Sequence, residues 1–285
     1  LELIKPLLDP PIPNDPLGEL NHLMQNYAAV AGRENINRPN FRFFDIENVS
    51  SKTLSPIEGY QNMDLVSLEL AVKSLEHLIP DLQKKVHITK LNSKNPSQGL
   101  TEDESAAIRL YTMQMNPAEK SIYYLLNETL RSEDRQKLIP WFSYLKLILV
   151  GLYKLPPVKR TIWRGIKMDL SEKFLKKSTF IWWGFSSCTE SLEVLESEQF
   201  LGKQGTRTLF NIECENGRMI TQHSYFKKEN EILLLPATVF EVIGKTDVGN
   251  SLHIVQVKET KPLCSLLQDP NSPAQQGSHG NDSKV

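Results

Sequence analysis

The chain has 285 residues, 40% of them apolar and 24% charged, a balance that fits a globular protein with a buried core in one or two domains. Lys and Arg number 33 against 34 Asp and Glu, and a net charge of −1 gives nucleic acid or an anionic membrane no electrostatic hold. No stretch reaches the roughly 18 consecutive apolar residues of a membrane span, and LELIKPLLDPP at the start lacks the basic-then-apolar layout of a secretion signal. Cys188, Cys214 and Cys264 are too few and too scattered for a zinc cage or a disulfide framework, though one disulfide stays open. A reducing, cytoplasmic setting and a monomer are expected. Secretion stays open, because the native N-terminus can lie upstream of Leu1.

Residues 1–60 read as an N-terminal extension. DPPIPNDPLG (9–18) is irregular, Leu20, Leu23, Met24 and Tyr27 give a short helical pattern over 19–31, and RPNFRFFDIENVS (38–50) is ambiguous between strand and loop. A helical subdomain is expected over 61–157. Leu65, Leu68, Val72, Leu75 and Ile79 form one stripe, opened by Asp64 and closed by Pro80. TEDE (101–104) predicts a capping box between Thr101 and Glu104. NPAE (116–119) predicts a second start, capped by Asn116 with Pro117 in the first turn. A last helix carries Trp141, Phe142, Leu145, Ile148 and Leu149 and ends before LPP (155–157).

The period then becomes strand-like, and 158–262 is expected to be a β core. TIWRGI (161–166), TFIWWGFSS (179–187), RTLFNIEC (207–214), EILLLPATVFEVI (231–243) and SLHIVQVKE (251–259) are β-branched or aromatic runs between polar turns. Pro236 should split the fourth. Helices followed by strands predict an α+β fold, with a mixed or antiparallel two-sheet core. A polar tail, 263–285, is expected to be disordered.

Three short stretches carry the chemistry. KKENEILLLP (227–236) sets Glu229 and Glu231 two positions apart at the mouth of an apolar run. In a strand such residues share a face, about 7 Å apart. One carboxylate could then meet a developing cation while the other handles a nucleophile; a solvated strand end is the plainer reading. In IWRGI, Arg164 is either a strand-edge charge or a fork-shaped phosphate donor, with Gly165 admitting a ligand to the backbone. In WWGFSSCTES, Ser187 and Thr189 either begin a turn or orient a carboxylate. Trp182 and Trp183 are expected in the core, and the six dispersed His give no metal site.

Arg on a first strand, aromatic-x-Ser-x-Thr on a second and Glu-x-Glu on a later one resemble the R-S-E class of arginine-specific mono-ADP-ribosyltransferases. That class includes vertebrate cell-surface enzymes and bacterial actin-modifying toxins. The resemblance extends to LTEDESAAIRLYTM, IYYLLNETLR and PWFSYLKLILVGLYKLP upstream, and so covers roughly 60–260. It implies transfer of ADP-ribose from NAD to an arginine of a protein acceptor, with no metal and with NADP open as a second donor. It implies that Arg164 contacts the NAD phosphates or adjoining ribose, and that the Gly165 backbone reads the nicotinamide carboxamide. Ser187 would orient Glu231, which would stabilise the oxocarbenium-like cation, while Thr189 preserves the family's final hydroxyl. Glu229 would engage the acceptor arginine, and Tyr225 and Phe226 would meet the acceptor protein. The sequence departs at Cys188, where the family has Thr, which raises the prospect of a thiol-sensitive site. NAD glycohydrolase and an inactive NAD-binding interaction module remain alternatives.

Overall fold

The computed structural model describes residues 53–196 and 201–272. The helical pattern over 19–31, the aromatic stretch over 38–50 and residues 273–285 lie outside the described residues.

Helices come first. They are α1 (Leu68–Ala71), α2 (Leu82–Leu91), α3 (Glu102–Thr112), α4 (Ile122–Arg131) and α5 (Phe142–Lys154). The expected capping box starts α3: Glu104 N donates to Thr101 Oγ1 at 3.2 Å, and Thr101 N donates to Glu104 Oε2 at 2.9 Å. That carboxylate also receives Lys154 Nζ from α5 at 2.8 Å, so one buried Glu closes a helix end and pins a second helix. α5 ends at Lys154, just ahead of the LPP break.

Two helix starts differ from expectation. The 65–79 stripe is not one helix but α1 followed by a 3-10 turn at Lys73–Leu75. Asp64 does not cap it. Leu68 N instead donates to Asp103 Oδ1 at 2.9 Å, so the cap comes from α3, which local pattern cannot reveal. Leu68, Val72, Leu75 and Ile79 are nonetheless buried, while Leu65 is 52% exposed. Asn116 caps no helix either: Pro117 is extended at ψ 159°, a 3-10 turn spans Ala118–Lys120, and Ser121 sits at the N-cap of α4.

The strands are β1 (Pro157–Ile166), β2 (Thr179–Trp182), β3 (Ser186–Thr189), β4 (Arg207–Met219), β5 (Glu231–Leu234), β6 (Thr238–Gly249) and β7 (Leu252–Thr260), with a short helix α6 (Leu192–Glu196) after β3. Pro236 separates β5 from β6 as expected, and the 179–187 run divides into β2 and β3 at Gly184. The strand order is β1-β3-β5-β4-β7-β6-β2, antiparallel except for the parallel β4–β7 pair. The two expected sheets are joined in one hydrogen-bonded network. The 13-residue β4 is long enough to pair with β1 and β7 over most of its length and with β5 at Arg218 and Met219.

Two cores result. One, within the helices, holds Leu110, Tyr123, Tyr144 and Ile148; the other, on the sheet, holds Phe174, Phe210, Phe240 and Val255. Trp182 belongs to the sheet core and its neighbour Trp183 to the helical one, because successive strand side chains point to opposite sides. Within the stretch read as tail, Leu266 is buried in the helical core and Leu267 bridges to Ile57, so the first part of that stretch is built into the fold.

Candidate functional site

Strand pairing brings the three motifs side by side. Trp163 on β1 pairs with Thr189 on β3, and Thr189 pairs with Glu231 on β5. Arg164, Ser187 and Glu231 therefore stand on three adjacent strands although the sequence separates them widely. Ser187 is the partner of Leu233, which packs into the helical core, whereas Ile232, Leu234 and Cys188 belong to the sheet core. Alternation then turns Ser187, Thr189 and Glu231 toward the helical side, and Cys188 away from them.

Arg164 is fully buried. Its Nη1 donates to the Ser187 carbonyl at 2.6 Å, and its guanidinium lies 5.9 Å from the Trp182 ring centroid. Ser187 Oγ is buried with no hydrogen-bond partner among the described residues, a state that costs about 1–3 kcal/mol unless something fills it. Arg164 pairs with Phe210 on β4, and Ile162 and Ile166 on its face belong to the sheet core, so its side chain is turned toward that core while it holds the Ser187 carbonyl. A buried hydroxyl without a partner, on the same face as buried Glu231, fits a ligand that brings its own hydroxyls. Among the described residues no group of three or more His, Cys, Asp or Glu is placed to hold a metal ion.

The paired-carboxylate geometry differs from expectation. Glu229 closes a 3-10 turn, Lys227–Glu229, and Asn230 is left-handed at φ 46° and ψ 47°, so Glu231 is the first true strand residue. The alternation rule cannot be carried through a left-handed residue, and Asn is one of the few side chains that tolerate one. Glu231 is fully buried while Glu229 is only partly so. One carboxylate thus sits inside the fold and its neighbour nearer the surface. Thr189 Oγ1 donates to the Glu229 carbonyl at 3.3 Å and accepts from Ser191 N at 3.1 Å, so its hydroxyl fixes the backbone of this turn.

Gly165 has an internal reason to be glycine. A Cβ there would come within 2.7 Å of Leu201 Cβ, so the missing side chain makes room for Leu201. Cys188 is likewise structural: it is buried in the sheet core, where burial pushes its thiol far above the ordinary range, and its Sγ lies 3.8 Å from the Ser186 carbonyl. A thiol so held is inert, and the thiol sensitivity expected of the site has no basis there. The three cysteines are all free.

Tyr225 and Phe226 lie in the loop between β4 and β5, partly exposed, with ring centroids 5.2 Å apart. The residue between them and β4 that sequence reading missed is Ser224, whose Oγ donates to Glu231 Oε2 at 3.3 Å and accepts from Phe226 N at 3.1 Å. Asn127 was missed too. From α4 its Oδ1 accepts from Phe185 N at 2.9 Å and its Nδ2 donates to Phe185 O at 3.1 Å, so a side chain acts as a strand partner just ahead of β3. A Cβ on Gly184 would sit 2.9 Å from that Oδ1. The available signal was a polar residue on the buried stripe of an amphipathic helix.

No curated protein matches the sequence. Among solved structures, the type III effector XopAI of Xanthomonas axonopodis pv. citri matches with a TM-score of 0.51 at 15% identity, over 87% of this chain and 99% of that one, and so shares the fold. The Vis toxin of Vibrio splendidus, an ADP-ribosyltransferase, matches at 0.46 and 21% identity, over 71% and 90%. The eucaryotic mono-ADP-ribosyltransferase ART2.2 matches at 0.48 and 16%, over 74% and 98%. The model of the family described as NAD:arginine ADP-ribosyltransferase matches residues 65–265, which takes in every helix from α1 to α6 and all seven strands. The chain belongs to the NAD:arginine ADP-ribosyltransferase family.

Proposed function

We propose that the chain transfers ADP-ribose from NAD to an arginine side chain of a protein acceptor and releases nicotinamide. The observation that carries this reading is the placement of buried Arg164, Ser187 and Glu231 on the neighbouring strands β1, β3 and β5, with Arg164 bonded to the Ser187 carbonyl and Glu229 partly exposed. The bond from ribose C1′ to the nicotinamide nitrogen breaks with its electron pair leaving on nicotinamide, so little acid catalysis is needed. Glu231 stabilises the cation that forms, a task suited to a carboxylate held out of water. Arg164 meets the phosphates of NAD with a guanidinium whose Nη1 already donates to the Ser187 carbonyl. Ser187, whose hydroxyl is uncommitted, orients the ribose or Glu231.

The acceptor must reach C1′ from outside, and Glu229 is the more exposed of the two carboxylates. It takes the proton from the guanidinium nitrogen as the new C1′–N bond forms, which turns a poor nucleophile into a competent one. Tyr225 and Phe226, on the same loop, meet the surrounding protein surface of the acceptor.

The test is incubation with labelled NAD and agmatine for the native chain, Glu231→Ala and Glu229→Gln. Native chain is expected to label agmatine, Glu231→Ala to release no nicotinamide above background, and Glu229→Gln to release nicotinamide while losing agmatine labelling. Nicotinamide release without labelled agmatine in the native chain would replace transfer by hydrolysis. Neither product would leave a binding module.

A further inference from the structure

We infer that one polar stripe of α3, formed by Ser105, Arg109 and Thr112, anchors the β4–β5 loop and thereby sets how ADP-ribose is shared between the acceptor and water. The inference rests on the proposed transferase reading. The three are positioning residues: each acts through the loop and none through contact with the reacting atoms.

Positions 105, 109 and 112 fall on one face of a helix. In α3 that face is buried, as are all residues from Glu104 to Thr112. A hydroxyl, a guanidinium and another hydroxyl in that setting must be satisfied by whatever packs on them, and the loop supplies the partners. Arg109 Nη1 donates to the Ser224 carbonyl at 2.8 Å and Nη2 to the Gln222 carbonyl at 3.3 Å, while Nε donates to Ser93 Oγ at 3.2 Å. Thr112 Oγ1 accepts from Tyr225 N at 2.8 Å. Ser105 Oγ meets His223 Nδ1 at 2.9 Å, and the other ring nitrogen meets Gln98 Oε1 at 3.1 Å. Because an amide oxygen only accepts, the proton is on Nε2 and Ser105 is the donor to Nδ1.

Gln222, His223, Ser224 and Tyr225 are thus each hydrogen-bonded to α3, in unbroken succession. The last of the fixed carbonyls belongs to Ser224, the residue whose hydroxyl reaches Glu231. The anchor therefore ends where the chemistry begins. On its far side come Phe226 and Glu229, which stay partly exposed. Attack by a guanidinium needs Glu229 in one place, whereas attack by water tolerates many. An anchor of this kind favours the demanding nucleophile over the undemanding one.

The test measures nicotinamide release and ADP-ribosyl-agmatine together, in the full chain, for native protein, Arg109→Lys, Thr112→Val, Ser105→Ala and the control Val86→Ala in the α2 core. Amide hydrogen exchange across 222–226 is followed in the same samples. Thr112→Val and Arg109→Lys should lower the transfer-to-hydrolysis ratio about tenfold, leave KM for NAD within about twofold, and speed exchange across 222–226. Val86→Ala should lower Tm without moving the ratio or that exchange. An unchanged ratio in folded Thr112→Val and Arg109→Lys overturns the inference, and so does an equal change in Val86→Ala. Should the native chain release no nicotinamide, the transferase reading fails on its own. Exchange across 222–226 then decides the anchor: unaltered rates in Thr112→Val and Arg109→Lys overturn it as well.

Discussion

Arg164 on β1 donates from Nη1 to the main-chain carbonyl of Ser187 on β3 across 2.6 Å, so the guanidinium ties two strands of the site together before any ligand arrives. Arg164→Lys keeps the charge and loses the planar fork. It should cost about 1.5–3 kcal/mol in urea unfolding, the range for a hydrogen bond from a charged group, and raise KM for NAD more than it lowers kcat. Unchanged stability would show that the strand tie contributes nothing.

Gly165→Ala forces a methyl to within 2.7 Å of Leu201 Cβ. Overpacking of this kind costs about 1–3 kcal/mol, and the measurable consequence is a lower Tm in the chain without NAD. A variant that keeps its Tm and loses only NAD binding would assign the glycine to the ligand instead.

Thiol labelling separates the cysteines by burial. Cys264 is exposed and should react with a disulfide reagent in the native chain, whereas Cys188 and Cys214 should react only on unfolding. Burial pushes the Cys214 thiol up to about 12, so raising the pH to 9 should not expose it to alkylation either. Fast loss of nicotinamide release on alkylation of Cys188 would return that residue to the site.

His223 is held neutral. Burial, and then the charges of Arg109 and Lys227, lower it from 6.5 to about 4. The unfolded chain therefore binds a proton over that interval and the folded chain does not, so the stabilisation is complete above pH 6.5 and is lost as pH falls toward 4. The loss should be on the order of 2 kcal/mol, seen as a fall in Tm between pH 7 and 4.5 that His223→Gln makes shallower. An identical pH dependence in both proteins would place the titration elsewhere.

The parts of this fold legible in sequence are those whose causes are local. The Thr101–Glu104 box needs only four residues, and the Pro236 break only one. The order of Arg164, Ser187 and Glu231 resembles a family signature, and strand pairing sets the three on neighbouring strands. Illegible features have distant causes. Leu68 is capped from Asp103, and Arg109 finds the Ser224 carbonyl 115 positions away. The Glu229–Glu231 geometry failed for a different reason: a single left-handed Asn230 lets the strand begin only at Glu231 and leaves Glu229 in the turn before it.

The indoles of Trp182 and Trp183 are consecutive, yet each is rooted in a different core. A one-residue slip at that point would exchange them, leaving two mismatched cavities at once. Neither half can melt without uprooting its neighbour's tryptophan, so heating should produce a single calorimetric transition for the described body of the protein.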